Sequence, residues 1–180
     1  MKSMPRALLE GYASFKYGRL RTERARYHEL AAKGQKPDTM IIGCCDSRAA
    51  PETIFDAIPG ELFVVRNVAN LVPPFEPDGE YHSTSAALEF AVQALKVKNI
   101  VVLGHARCGG IAASLQDAPE PLSPGDFIGK WMSMLAPLTG QVSSSTVLTQ
   151  AERQTALERI SIRNSLANLM TFPCVRILSE

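Results

Sequence analysis

A chain of 180 residues, 46% hydrophobic and 21% charged, has the length and composition of one folded domain, not of a collagen, a coiled coil or a disordered segment. Nineteen Lys+Arg against 18 Asp+Glu give a net charge of +1, which excludes the basic excess needed to track a nucleic-acid backbone. No apolar run approaches the ~18 residues of a membrane span.

In chain order, Leu8, Leu9, Tyr12, Phe15, Leu20, Tyr27 and Leu30 recur at helical intervals, broken at Tyr17-Gly18, and predict one or two helices over residues 5–32. This arm is basic: residues 1–36 carry nine basic and three acidic groups, +6, which leaves −5 for residues 37–180. Such an arm suits the acidic body of a second copy of the chain. Its start lacks the compact apolar core and small-residue cleavage site of a secretory signal, so a cytoplasmic location is expected.

Residues 39–43, 62–65 and 100–104 are short apolar runs bounded by turn formers and predict buried strands. Continuous runs suit a parallel sheet covered on both faces. Ser83, Thr84 and Ser85 can cap a helix running to Leu95, which makes the second and third strands a right-handed βαβ unit. A helix is predicted over 110–115. Pro119, Pro121, Ser123, Pro124 and Gly125 mark a surface loop, and further helices follow at about 127–138 and 149–170. The predicted fold class is α/β, a central, mostly parallel sheet flanked by helices, in one domain with a helical arm at 1–36 and a core at 37–180.

Two polar clusters stand where predicted strands end, the place where ligands of open α/β sheets gather. In the first, Cys44-Cys45-Asp46-Ser47-Arg48, persistence of strand geometry aims Cys44, Asp46 and Arg48 to one side. In the second, His105-Ala106-Arg107-Cys108, a helical turn puts imidazole and thiol on one face. Two thiolates and an imidazole with a fourth position open form a donor set suited to catalytic zinc. In a reducing compartment these cysteines are expected to be ligands or core residues, not disulfides.

These clusters, together with Phe63-Val64-Val65-Arg66-Asn67-Val68-Ala69-Asn70 and the full Gly104-His105-Ala106-Arg107-Cys108-Gly109-Gly110 segment, resemble the β-class carbonic anhydrases, whose pattern is C-x-D-x-R, R-N-x-A-N and H-x-x-C-G-G in that order. The resemblance spans about residues 35–115. It implies one zinc ion per chain held by Cys44, His105 and Cys108, with Asp46 and Arg48 as the adjacent catalytic dyad. It also implies a carbon dioxide pocket lined by Gln35, Phe63, Val68, Phe90 and Gly109, with Phe90 where the family usually has Tyr. A homodimer or dimer-based tetramer is implied, with the pocket at the subunit interface, in keeping with the basic arm. The implied reaction is reversible hydration of carbon dioxide to bicarbonate and a proton by zinc-bound hydroxide. Its rivals are a zinc hydrolase of the same fold acting on carbonyl sulfide or carbon disulfide, and a non-catalytic sensor cycling Cys44, Cys45 and Cys108 between zinc-bound thiolate and disulfide.

Two thiolates leave zinc with its bound water nominally neutral, so that water is expected to be less acidic than on three imidazoles and activity to rise on the alkaline side of neutrality. Asp46 either stays bonded to Arg48 or leaves it to close the site as a fourth ligand. In one subtype closure accompanies bicarbonate binding near a Trp of the first strand. That position here is Ile41 and the sole Trp is Trp131, so the open form is expected. Family members usually continue past the counterpart of Glu180 with a further strand, so either a truncated form or a sheet one strand smaller is expected. Cys174 and Trp131 read as core residues, and Arg66 with Asn67 as either an anion site or a holder of loops.

Overall fold

A computed structural model of the chain describes residues 3–78, 82–116 and 120–177. The chain divides into two compact units, Met1–Lys36 and Pro37–Glu180. The first consists of helices α1 (Arg6–Tyr17) and α2 (Arg19–Lys33), in which no residue is buried. Ion pairs at i,i+4, Arg6 with Glu10 and Arg19 with Glu23, line their surface and contribute a few tenths of a kcal/mol each.

The second unit is built on strands β1 (Thr39–Cys44), β2 (Leu62–Asn67) and β3 (Asn99–Leu103). All pairings are parallel and the order is β2-β1-β3, so β1 is central and paired on both sides. Met40, Ile41 and Ile42 of β1 are each at most 2% exposed. Full burial of such side chains stabilises by about 1.5–3 kcal/mol each, which explains why the apolar runs are continuous.

Helices α3 (Pro51–Ile54) and α4 (Ser83–Glu89) follow β1 and β2; α4 continues as a π-helical stretch, Phe90–Leu95, that ends on left-handed Lys96. Next come α5 (Gly109–Ser114), α6 (Phe127–Met132) and α7 (Ala136–Ser143), the last two separated by the 3-10 turn Ser133–Leu135. The single helix expected near 127–138 is thus divided, with Pro137 admitted near the start of α7. Helix α8 (Gln150–Leu169) opens on a capping box in which Thr149 and Glu152 exchange side-chain and backbone hydrogen bonds. The short helix α9 (Pro173–Arg176) closes the described chain. Helices α3 and α9, each about one turn with Pro at the N-terminal position, were not expected from periodicity, which one turn cannot display. Pro119 of the expected loop and the Glu180 position lie outside the described residues.

Two apolar clusters form the core. One gathers Met40, Ile42, Leu88, Val92, Leu169 and Phe172, with Cys174 packed against it. The other gathers Ala69, Leu71, Ile111, Leu135 and Leu157 around the sulfurs of Cys44 and Cys108, with Trp131 packed against it.

Candidate metal centre

Because β1 is central, Cys44 leaves the sheet at its carboxyl edge already enclosed, at 4% exposure. The chain does not continue as strand through Arg48, as the sequence argument supposed. It turns into a 3-10 helix, Ser47–Ala49, because the Asp46 carboxylate caps that turn by accepting the Arg48 N–H at 3.0 Å. The Asp46–Arg48 pair forms all the same: Nε reaches Oδ1 at 2.9 Å and Nη2 reaches Oδ2 at 2.8 Å. Hydrogen bonds from the Arg48 side chain, then from its backbone N–H, hold the Asp46 carboxyl well below the usual carboxylate range. Arg48 Nη2 also donates to the Arg107 carbonyl at 3.0 Å, tying the first cluster to the second.

The segment from His105 to Cys108 is a turn and not the helical turn expected. Arg107 has φ +57°, in the left-handed region, and Cys108 is extended at φ −65°, ψ 124°, so α5 begins only at Gly109. Cys108, 2% exposed, thereby faces Cys44 with the two Sγ atoms 3.9 Å apart. One ligand atom from each of Cys44, His105 and Cys108 lies within 4.8 Å of the other two.

Three observations test whether this trio fits a metal ion. Two sulfurs bound at ~2.3 Å to a tetrahedral zinc ion stand about 3.8 Å apart, close to the separation found. His105 Nδ1 lies 3.0 Å from the Ala106 carbonyl, which can only accept, so Nδ1 is the donor there and Nε2 is the nitrogen left to bind an ion. That Nε2 is buried with no hydrogen-bond partner, a costly state unless something binds it. Between the sulfurs, the hydrogen bond from Cys108, with the Asp46 N–H at 3.5 Å adding to it, holds the Cys44 thiol well below its usual range. The Cys44 sulfur, then burial, pushes Cys108 up. One sulfur is thus poised as a thiolate, and a cation is what would release the second proton. The residues fit a metal.

Holding groups around the trio were only partly anticipated. Arg66 Nε and Nη2 donate to the carbonyls of Cys44 at 2.7 Å and Asp46 at 2.6 Å, which resolves its two readings in favour of a loop holder. Asn67 exchanges hydrogen bonds with Leu71 N–H and C=O at 2.9 and 2.8 Å, closing the 3-10 turn Val68–Asn70, where Ala69 and Asn70 have positive φ. Trp131, read as core, also donates Nε1–H to the Val68 carbonyl at 2.8 Å. Missed altogether were Gln154 and Glu158 of α8, which bond the Cys108 backbone. Their only sequence signal is a spacing of four on a long helix, which many surface residues share.

The expected pocket residues fall into separate places. Val68 packs against the apolar cluster that includes Cys44 and Cys108, and Gly109 follows Cys108 with nothing within 4 Å of where a Cβ would project. Gly110 is required: a Cβ there would meet Val68 Cγ1 at 2.9 Å and Ala69 Cβ at 3.2 Å. Phe63 and Phe90 instead form a ring pair with centroids 5.9 Å apart. Phe63 is in register with Met40, four residues before Cys44, or about 13 Å along the strand. Gln35 belongs to the N-terminal unit, just after α2.

Among the described residues no helix is long and apolar enough to cross a membrane. Residues 39–180 match the protein family described as Carbonic anhydrase. Over 169 residues the chain is 35% identical to beta carbonic anhydrase 3 of Arabidopsis thaliana, covering 92% of this chain and 64% of the relative. It is 38% identical over 167 residues to beta carbonic anhydrase 6, mitochondrial, of the same plant, covering 92% and 56%. The chain therefore spans less than two thirds of the length of these relatives. Among solved structures, the beta-carbonic anhydrase CcaA superposes with a TM-score of 0.85 at 28% identity, covering 96% of this chain and 76% of that one. One of two tetrameric beta-carbonic anhydrases from the ascomycete Sordaria macrospora gives a TM-score of 0.77 at 31% identity, covering 95% and 82%. Family match, relatives and fold agree with the convergence of two thiols and an imidazole at the strand ends: the chain belongs to the β-class carbonic anhydrase family.

Proposed function

We propose that this protein catalyses the reversible hydration of carbon dioxide to bicarbonate and a proton, using one zinc ion per chain. The observation that carries the reading is the convergence of Cys44, His105 and Cys108 at the carboxyl ends of neighbouring parallel strands, with the His105 lone pair buried and unused. Bound zinc would supply Lewis acidity that brings the pKa of water toward neutrality.

The chain's own residues do the remainder. Cys44 and Cys108 bring two negative charges and His105 a neutral donor, so the acidity conferred is smaller than with three imidazoles and activity rises on the alkaline side. Asp46, kept ionised by Arg48, accepts a hydrogen from the attacking water at a carboxylate oxygen and turns its lone pair toward the substrate. Arg48 stays on Asp46 because it is also anchored on the Arg107 carbonyl, which favours the open site. Val68 offers an apolar wall and Gly109 open space for a small neutral molecule.

The offset of Phe63, some 13 Å along the strand from its own Cys44, supports a carbon dioxide pocket to which a second copy contributes Phe63, Phe90 and Gln35. The exposed Leu8, Leu9 and Tyr12 of the basic arm, together with the tetrameric Sordaria enzyme, support a homodimer or dimer-based tetramer. The ligand thiols must stay reduced, as in the cytoplasm, although one relative is named as mitochondrial.

Stopped-flow carbon dioxide hydration by the full chain between pH 6.5 and 9, alongside zinc analysis, tests the reading. Activity that rises with pH, one zinc per chain, and loss of both in Cys44→Ser and His105→Ala are expected. Turnover of carbonyl sulfide or carbon disulfide without carbon dioxide hydration would favour the sulfur hydrolase, and a zinc-loaded chain inactive on all three would favour the sensor.

A further inference from the structure

The turn bearing His105 and Cys108 follows β3, which among the described residues pairs with β1. A non-glycine residue in the left-handed region lies at its centre, a conformation that persists only where the surroundings impose it. Besides Arg48, which bonds the Arg107 carbonyl, the support comes from about fifty residues downstream. Helix α8 presents Gln154, Glu158 and Ile162, spaced by four and therefore aligned on one face. Glu158 Oε1 accepts the Cys108 N–H at 3.0 Å. Gln154 Nε2 donates to the Cys108 carbonyl at 3.3 Å and to Glu158 Oε1 at 3.1 Å. At the other end of the turn, Ile162 Cδ1 lies so close that a Cβ on Gly104 would come within 2.5 Å of it. Both backbone polar groups of Cys108 are thus bonded by one helix face, and the start of the turn is pressed against the same face.

We propose that Glu158 and Gln154 are positioning residues for the metal centre: they fix the Cys108 backbone so that its sulfur meets the ion in one place and the ion leaves slowly. They act through Cys108 and are not ligands themselves. The inference rests on the metal reading above. Groups that orient a ligand from behind are worth about 10–100-fold in metal affinity elsewhere.

The test compares the zinc-loaded full chain with Glu158→Ala, Glu158→Gln, Gln154→Ala and, as a control on another face of α8, Thr155→Ala. Two quantities are read: the rate of zinc transfer to a chromophoric chelator, and the thiolate-to-cobalt absorption of the cobalt-substituted chain. Glu158→Ala is expected to release zinc at least about tenfold faster, with a shifted cobalt band. Glu158→Gln, whose amide oxygen can still accept the Cys108 N–H, should return most of the way to the unmodified chain. Gln154→Ala, which leaves the Glu158 bond in place, should fall in between and decides the matter if Glu158→Ala does not fold. Thr155→Ala should change neither quantity. Release from Glu158→Ala, or from Gln154→Ala if only that folds, at the unmodified rate with an unmoved cobalt band overturns the proposal. So does a Glu158→Gln chain as leaky as Glu158→Ala, since charge and not the hydrogen bond would then matter. An unmodified chain that retains no zinc removes the metal reading and this inference together, whereas tight zinc in every variant removes the inference alone.

Discussion

The two segments that supply the candidate metal ligands are held in different ways. Cys44 ends the central strand, between two paired neighbours and beyond a run of fully buried residues, so its position is a by-product of the sheet. His105 and Cys108 follow β3 through a left-handed turn, and their position depends on side chains from Arg48 and from α8. Both sulfurs sit in one apolar cluster, but the first half of the site leans mainly on the burial of β1, which is large and non-directional, with Arg66 fixing the carbonyls of Cys44 and Asp46. The second half leans mainly on directional hydrogen bonds to the turn, each modest in energy but decisive in geometry.

Substitutions can separate the two kinds of support. Ile42→Ala strikes the burial side and should lower the unfolding free energy by about 2–5 kcal/mol in denaturant titrations, while the folded fraction releases zinc at the unmodified rate. A large acceleration of release would show that the two halves are not independently held. Arg66→Ala removes both donors from the Cys44 and Asp46 carbonyls and should cost about 2–3 kcal/mol by the same measurement. Lys at that position should recover little, because one ammonium does not span two carbonyls as a guanidinium does. Gly110→Ala pushes a methyl group against Val68 and Ala69, with an expected loss of about 1–3 kcal/mol seen as a lowered thermal midpoint.

The smallest expected effect concerns pH. The folded-state pKa of Asp46 is depressed by Arg48, so the pair's contribution is present above the ordinary carboxylate range and is lost as pH falls through the lowered folded value. In Arg48→Ala the Asp46 carboxyl resonance should titrate at higher pH, part of the way back to the ordinary carboxylate range because the backbone N–H of residue 48 still bonds it, whereas in the unmodified chain it should remain ionised well below that range. Equal titration in both chains would detach Arg48 from Asp46 in solution.

The same division decides what the sequence made legible. Residues 39–43 and 62–65 read as strands from their unbroken apolar runs, and the structure lengthens them only to Cys44 and Asn67; the expected burial holds for β1, whereas β2 is half-buried throughout and β3 is partly exposed. The cysteine and histidine clusters were visible because their residue types are scarce and chemically specific. The path of the chain between them was not: strand geometry was extended through Arg48 where Asp46 caps a turn, and a helix was supposed across Arg107 where φ is +57°. The first departure is set by a local side-chain cap and the second by hydrogen bonds from Arg48 and α8. Glu158 and Gln154 left no mark for a related reason: their role depends on the rotational setting of α8 against a turn that precedes it by half a hundred residues. The ring pair of Phe63 and Phe90, separated from Val68, follows from strand register, which motif spacing does not reveal.

The central claim is that Cys44, His105 and Cys108 close on one ion. Zinc K-edge absorption of the full chain at pH 8 measures this directly. The account predicts two sulfurs at ~2.3 Å and at least one nitrogen at ~2.0–2.1 Å around a four-coordinate zinc. A chain that takes up no zinc, or a zinc shell without sulfur, would contradict it.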